Sequence, residues 1–192
     1  MTPEEKAREK IDAQLDACGW KVQDKEQVNL QAARGVAVRE VATKKGEADY
    51  VLFADGKAIG TVEAKPAGWT LRGVEEQSGK YATGMHAGFP AWRTPLPFCY
   101  ESTGVETHFT NRLDPDARSR EVFTFHRPET LIEWVQQDAQ VRAKLRELPP
   151  LITDALWPAQ IVAVQNLEKS LAANKPRALI QMANRAAVRR RV

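Results

Sequence analysis

Gly46-Glu47-Ala48-Asp49-Tyr50-Val51-Leu52-Phe53-Ala54-Asp55-Gly56-Lys57-Ala58-Ile59-Gly60-Thr61-Val62-Glu63-Ala64-Lys65 is the stretch that decides the fold. Two apolar runs, 49–53 and 58–64, flank Asp55-Gly56, a pair that tolerates the positive φ angles of a tight hairpin turn. The stretch therefore predicts two adjacent antiparallel strands. Side chains alternate along a strand, so Glu63 and Lys65 share one face while Val62 and Ala64 take the other. A glutamate and a lysine on an apolar strand call for a partner, and Asp49, opening the strand before, supplies one. Two neighbouring carboxylates suit a hard divalent cation such as Mg2+, which takes oxygen ligands. A lysine beside them can orient a water or stabilise negative charge on a phosphate.

This reading carries a geometric condition. A regular two-residue Asp55-Gly56 loop would set Asp49 opposite Val62 and send the two carboxylates to opposite faces. A three-residue loop, Asp55-Gly56-Lys57, or a bulge with the same effect, sets Asp49 across from Glu63. The short pattern [Asp/Glu]-x-Lys is unspecific, since it also occurs at Glu4/Lys6 and Asp55/Lys57. Taken alone, Glu63/Lys65 reads first as a surface ion pair on an edge strand.

Outward from this centre, residues 3–17 read as an amphipathic helix. Ile11 and Leu15 are four apart, Thr2 and Glu5 form a capping-box pattern, and Gly19 ends the element. Val36, Val38 and Val41 fall in one extended run, residues 71–86 read as helical, and residues 98–100 and 107–109 read as strands. A single helix is expected over 128–147, starting at Pro128 and stopping before Pro149-Pro150, which marks a domain boundary. Residues 158–172 read as helical and 178–180 as a buried strand. The order predicts an α/β (α+β) fold, a mixed sheet flanked by helices, with a short C-terminal helical segment.

Composition narrows the function classes. The net charge of +3 owes its sign to residues 184–192, which hold four arginines and no acid; the rest carries 24 basic against 25 acidic residues. Overall charge therefore makes no case for nucleic acid, and any such case rests on a site. No apolar run reaches the length of a membrane span, and the N-terminus does not read as a signal peptide. Cys18 and Cys99 are far apart and read as reduced structural thiols of a cytoplasmic protein. His86, His108 and His126 share no metal-binding or catalytic spacing and read as structural. Trp20, Trp69, Trp92, Trp134 and Trp157 read mostly as packing residues, with Trp69 and Arg72 as a candidate DNA contact.

Asp49…Glu63-x-Lys65 resembles the PD-(D/E)xK nuclease signature, with Ala48-Asp49 in place of Pro-Asp. Gln77-Ser78-Gly79-Lys80-Tyr81 resembles the Gln-x-x-x-Tyr element of nucleases fused to DNA motors. Several longer blocks resemble R subunits of type I restriction enzymes: Ile11-Asp12 through Gly19-Trp20, residues 46–52, residues 97–104, and residues 123–129. Leu156-Trp157-Pro158-Ala159-Gln160 resembles the lead-in to their motor, including its adenine-reading glutamine. The resemblance runs over roughly residues 3–183.

It implies a restriction-endonuclease-like core over residues 1–148 and the linker and start of a helicase-like motor over 149–183, with 184–192 as a non-native tail. It implies Asp49, Glu63 and Lys65 as catalytic residues. Asp49, Glu63 and the Ala64 backbone are then the Mg2+ ligands, with Gln77, Tyr81 and Glu5 as DNA-binding or active-site support. The implied partners are DNA and the methylase and specificity subunits of the restriction-modification complex, with no membrane. The phosphate loop expected after Gln181-Met182-Ala183 is missing, and no glycine follows Gly104. ATP binding is therefore expected only of a full-length enzyme, with Gln160 as a motor remnant. The competing expectation is a docking module for the methylase or motor that does not cleave on its own.

Overall fold

A computed structural model describes residues 2–71, 82–83, 89–137, 141–173, 175 and 178–181. Helix α1 (Pro3–Ala17) begins as its sequence demands. The Thr2 hydroxyl accepts the Glu5 N–H, and the Glu5 carboxylate accepts the Thr2 N–H at 2.8 Å. Ala7, Ile11 and Leu15 form its buried stripe. Gly19, at φ 88°, lets the chain turn into strand β1 (Trp20–Gln23).

The next strands are β2 (Gly35–Thr43), β3 (Gly46–Ala54), β4 (Lys57–Ala64), β5 (Phe98–Ser102), β6 (Thr107–Asn111) and β7 (Ser119–Val122). Among the described residues they form one seven-stranded sheet in sequential order. The pairs β1/β2 and β4/β5 are parallel and the other four are antiparallel, so the sheet is mixed, as expected. Helix α2 (Pro128–Gln136) follows, then the short helix α3 (Val141–Lys144) and helix α4 (Pro158–Ala172). No described helix is long and apolar enough to cross a membrane.

The chain divides into two compact units, Met1–Leu113 with Ala117–Gln137, and Asp114–Asp116 with Asp138–Val192. In the first, strand alternation builds a core on each face of the sheet. Tyr50, Leu52, Val62 and Tyr100 pack with Ile11 and Leu15 of α1 and Leu131, Ile132 and Val135 of α2. Val36, Val38, Val51 and Phe53 pack on the other face with Ala82, Leu96 and Cys99. An aromatic group stiffens the first core, with Tyr100 and Phe109 centroids 4.7 Å apart and Phe109 and His126 4.5 Å apart. His126 is held neutral by burial, its pKa below the ordinary value, and its Nδ1 lies 2.7 Å from the Tyr100 hydroxyl.

Two expectations need correction, and two strands went unread. The helix over 128–147 stops at Gln136, because Gln137 is extended at φ −68°, ψ 137°. The stripe Leu131, Ile132, Val135 finds burial, but Val141 beyond it is 65% exposed, so nothing anchors a longer helix. Residues 178–180 form no strand: Leu179 is 90% exposed, and among the described residues this apolar triplet has no neighbouring strand whose ladder it could join. The edge strands β1 and β7 escaped the reading because each is four residues long and carries little alternation. The helix expected over 71–86 falls mostly outside the described residues, of which Ala82 and Thr83 are helical.

The β3–β4 hairpin meets its geometric condition through the bulge. Asp55 (φ 47°) and Gly56 (φ 73°) make a two-residue turn, pairing Ala54 with Lys57 and Phe53 with Ala58. The register then slips by one residue at Ile59, and Leu52, Val51 and Tyr50 pair with Gly60, Thr61 and Val62. Just beyond the slip, Gly60 lies tight against β5, where a Cβ would sit 2.6 Å from the Phe98 carbonyl oxygen. Gly60→Ala is expected to force β4 from β5 and cost about 1–3 kcal/mol, the usual penalty of overpacking. Urea unfolding measures it, and an unchanged midpoint with an unchanged slope would contradict the close approach.

Candidate active site

Continued by one position, the register Tyr50↔Val62 sets Asp49 across from Glu63. The ladder stops there, and a side chain takes over. Asp49 Oδ2 accepts the Ala64 N–H at 2.9 Å, which fixes the carboxylate beside β4. Lys65 Nζ donates to Glu63 Oε1 at 2.8 Å, so these two share a face as alternation requires. The Lys65 N–H is anchored in turn to the Ser102 carbonyl at 2.8 Å. The three side chains are largely withdrawn from solvent, at 13% exposure for Asp49, 8% for Glu63 and 19% for Lys65.

A second irregularity faces the first. Val38 and Val41 lie in the same core cluster although three residues apart, which a regular strand forbids. The break is Glu40, at φ 53°, a left-handed conformation that costs a non-glycine residue energy. The ladder pairs Arg39 with Tyr50 and Val41 with Ala48, leaving Glu40 and Asp49 as an unpaired step between them. Both carboxylates meet Arg8 of α1. Its Nη2 donates to Asp49 Oδ1, and its Nη1 lies 3.0 Å from Glu40 Oε1. Burial works against the Arg8 charge, but Asp49, then Glu4 and Glu40, hold its pKa above the ordinary arginine value.

The electrostatics are short of positive charge at Glu63. Burial pushes its pKa above the usual carboxylate range; the Lys65 hydrogen bond opposes this, and the negative charge of Asp49 adds to it. Two crowded carboxylates, one of them destabilised as an anion, are a donor set that a divalent cation would satisfy. Among the described residues no group of three or more His, Cys, Asp or Glu side chains could hold a metal. Mg2+ does not require one, because it keeps several waters and commonly takes one or two carboxylates.

Asp49, Glu63, Ala64 and Lys65 are thus brought together. Glu5 is occupied in capping α1. Gln77 and Tyr81 lie outside the described residues. In the second unit, Gln160 Oε1 accepts the Trp157 N–H at 2.9 Å, a local contact at the start of α4. Sequence reasoning missed Arg8 and Glu40. Arg8 gave no signal, being one cation on a charged helix, whereas the three-residue spacing from Val38 to Val41 was a visible break in period beside Glu40. Glu101 was missed as well: it is fully buried and pairs directly with Glu63 in the β4/β5 register.

Comparison with known proteins gives a consistent set of relatives. Residues 20–95 match the family model for the second domain of the type I restriction enzyme EcoKI endonuclease subunit. The type I restriction enzyme EcoKI endonuclease subunit of Escherichia coli (strain K12) is 28% identical over an alignment 231 positions long, which covers 94% of this chain and 20% of that protein. A solved fragment, described as part of an HsdR subunit of a type I restriction enzyme from Vibrio vulnificus YJ016, shares the fold. Its TM-score is 0.53 at 19% identity, covering 97% of this chain and 36% of that one. The chain therefore spans well under half the length of either relative.

The raised pKa of Glu63 makes a testable demand on stability. The unfolded chain releases this proton near pH 4.3, while the folded chain keeps it to higher pH. Between the two values the folded state binds more protons, so stability falls as pH rises, and the penalty is complete above the folded pKa. Glu63→Gln escapes it. In chelator, the variant is expected to melt higher than the wild type at pH 7 and to lose that advantage below about pH 4. A wild type that melts higher at neutral pH would show that the Lys65 pairing outweighs burial.

Proposed function

We propose that this chain, which resembles in sequence and fold the N-terminal part of type I restriction enzyme R subunits, is the nuclease module of such a subunit and hydrolyses DNA phosphodiester bonds with Mg2+. The observation that carries the proposal is the bulge at Ile59. It brings Asp49 across from Glu63, with Lys65 on the same face, out of a hairpin whose turn alone would have separated them.

In this reading Asp49 and Glu63, with the Ala64 carbonyl, hold the cation. When bound, Mg2+ supplies an activated water and neutralises charge on the phosphate under attack. The chain's own groups do the rest. The Ala64 N–H fixes the rotation of Asp49 by holding Oδ2, which leaves Oδ1, the oxygen that Arg8 meets, as the one a cation would take. Lys65, held at Glu63, lies where an ammonium can orient the water or meet negative charge developing on the phosphate. Trp69, 58% exposed just past Lys65, lines a cavity of about 420 Å3 with Leu71, Thr103 and Val105, a surface suited to stacking or sugar contact with DNA. Gln77, Tyr81 and Glu5 would support DNA or the metal ligands.

The remaining assignments are those the family resemblance implies. Residues 1–148 would be the nuclease domain and 149–183 the start of the motor. Sequence recognition would reside in the specificity and methylase subunits, and ATP-driven translocation in the rest of a full-length R subunit, in the cytoplasm.

The test is nicking of supercoiled plasmid by the chain with Mg2+ or Mn2+ and no ATP. Asp49→Asn and Lys65→Ala are each expected to slow it about a hundredfold, the usual cost of losing one group that stabilises the transition state. Nicking that persists at the wild-type rate in both variants would place the activity elsewhere.

A further inference from the structure

The mechanism leaves one group near the carboxylates without a role. Arg8 reaches the site from α1, on a different element from every proposed ligand. It is the cation on Asp49: its Nη2 takes Oδ1, while Oδ2 is held by the Ala64 N–H. Both oxygens of Asp49 are thereby engaged, and a metal ion has no access to this carboxylate unless one contact gives way. The Ala64 contact belongs to the sheet. The Arg8 contact belongs to a flexible side chain.

Three further observations bear on which contact yields. Arg8 has a second seat, since Nη1 lies 3.0 Å from Glu40 Oε1, and Glu4 lies 4.0 Å from Nη2 one helical turn away. Glu40 is held there by a strained backbone, an arrangement found where a side chain must be aimed. The buried Arg8 Nε has no hydrogen-bond partner among the described residues, so the guanidinium is incompletely satisfied where it sits. A divalent ion and a guanidinium on one carboxylate also repel each other, strongly so in a site screened from water.

Resting on the metal-site reading above, we propose that Arg8 is a resident competitor for the cation: it neutralises Asp49 while the metal is absent and releases it, keeping Glu40, when the metal binds. Arg8 is on this account a positioning residue. It spares the metal-free protein an uncompensated carboxylate pair, and it weakens metal binding by the work of displacing it. Once released from Asp49, the planar fork is free to meet a phosphate, for which its geometry is suited.

A purely structural Arg8, tying α1 to the sheet, makes the opposite prediction for affinity, which makes the two separable. Arg8→Met keeps most of the stem and removes the charge. The chain is titrated calorimetrically with Mn2+ as wild type, Arg8→Met, Arg8→Lys and Asp49→Ala, and thermal midpoints are read in chelator. Arg8→Met is expected to bind Mn2+ about tenfold more tightly than the wild type while melting lower without metal. Arg8→Lys, which keeps the charge but not the fork, should fall between. Heat seen only with Arg8→Met also supports competition.

Equal or weaker binding by Arg8→Met, with the wild type binding and Asp49→Ala not, overturns the competitor role and leaves the metal site standing. Heat retained in Asp49→Ala, or no heat in either the wild type or Arg8→Met, overturns both.

Discussion

One residue's worth of slippage between β3 and β4 holds the site together. A hairpin closed by Asp55 and Gly56 has a register set by its turn, and that register would put Asp49 and Glu63 on opposite sides of the sheet. The extra residue at Ile59 reverses this for every position beyond it. The bulge survives because both sides of it are buried. Leu52 and Val62 are packed under α1 and α2, Val51 and Phe53 in the opposite core. Returning to the turn's register would exchange these faces and move core side chains out of their clusters. Hydrophobic burial on two faces thus fixes the position of two carboxylates.

The site is assembled from local costs that the surrounding core offsets. Glu40 sits at positive φ, Glu63 is buried against its charge, and the ladder ends early so that a side chain can take the Ala64 N–H. Each would weaken a structure built only for stability. Their concentration within a few residues of Asp49, in a sheet otherwise regular through β5 and β6, is what distinguishes the site from a surface ion pair. An edge-strand pair would be solvated and would need none of them. The observed pair joins Glu63, buried in an interior strand between β3 and β5, to Lys65, half-buried just past the end of that strand.

Helix α1 links the capping chemistry at the N-terminus to the site. The Thr2–Glu5 box sets where the helix starts, and its apolar stripe, Ala7, Ile11 and Leu15, sets which way it rolls on the sheet. With start and roll determined, Arg8 projects toward Asp49. Asp12, one turn on, receives both Arg39 and the Tyr50 hydroxyl, at 2.6 and 2.8 Å. These contacts fasten the helix to β2 and β3 at the Arg39–Tyr50 pair, directly beside the Glu40 break. The support of the site is therefore distributed over elements that share no sequence motif.

Local signals carried much of this fold. The capping box, the Asp55-Gly56 turn, the apolar runs of the central strands and the prolines that open α2 and α4 all act within a few residues, and each was legible. So was the shared face of Glu63 and Lys65, because side chains alternate along a strand, whereas Asp49 opposite them was legible only as a condition on the register. The four-residue edge strands, the early end of α2 and the exposed 178–180 segment were not legible, since each depends on whether a distant neighbour offers burial or a ladder. The choice between a longer loop and a bulge was left open by the sequence, because both satisfy the same alternation. Packing on two faces of the sheet decided for the bulge. The meeting of Arg8 and Glu40 with Asp49 belongs to the tertiary structure: the Val38–Val41 spacing marks a break beside Glu40, but which partner that break serves depends on the roll of a helix, which no spacing along the chain encodes.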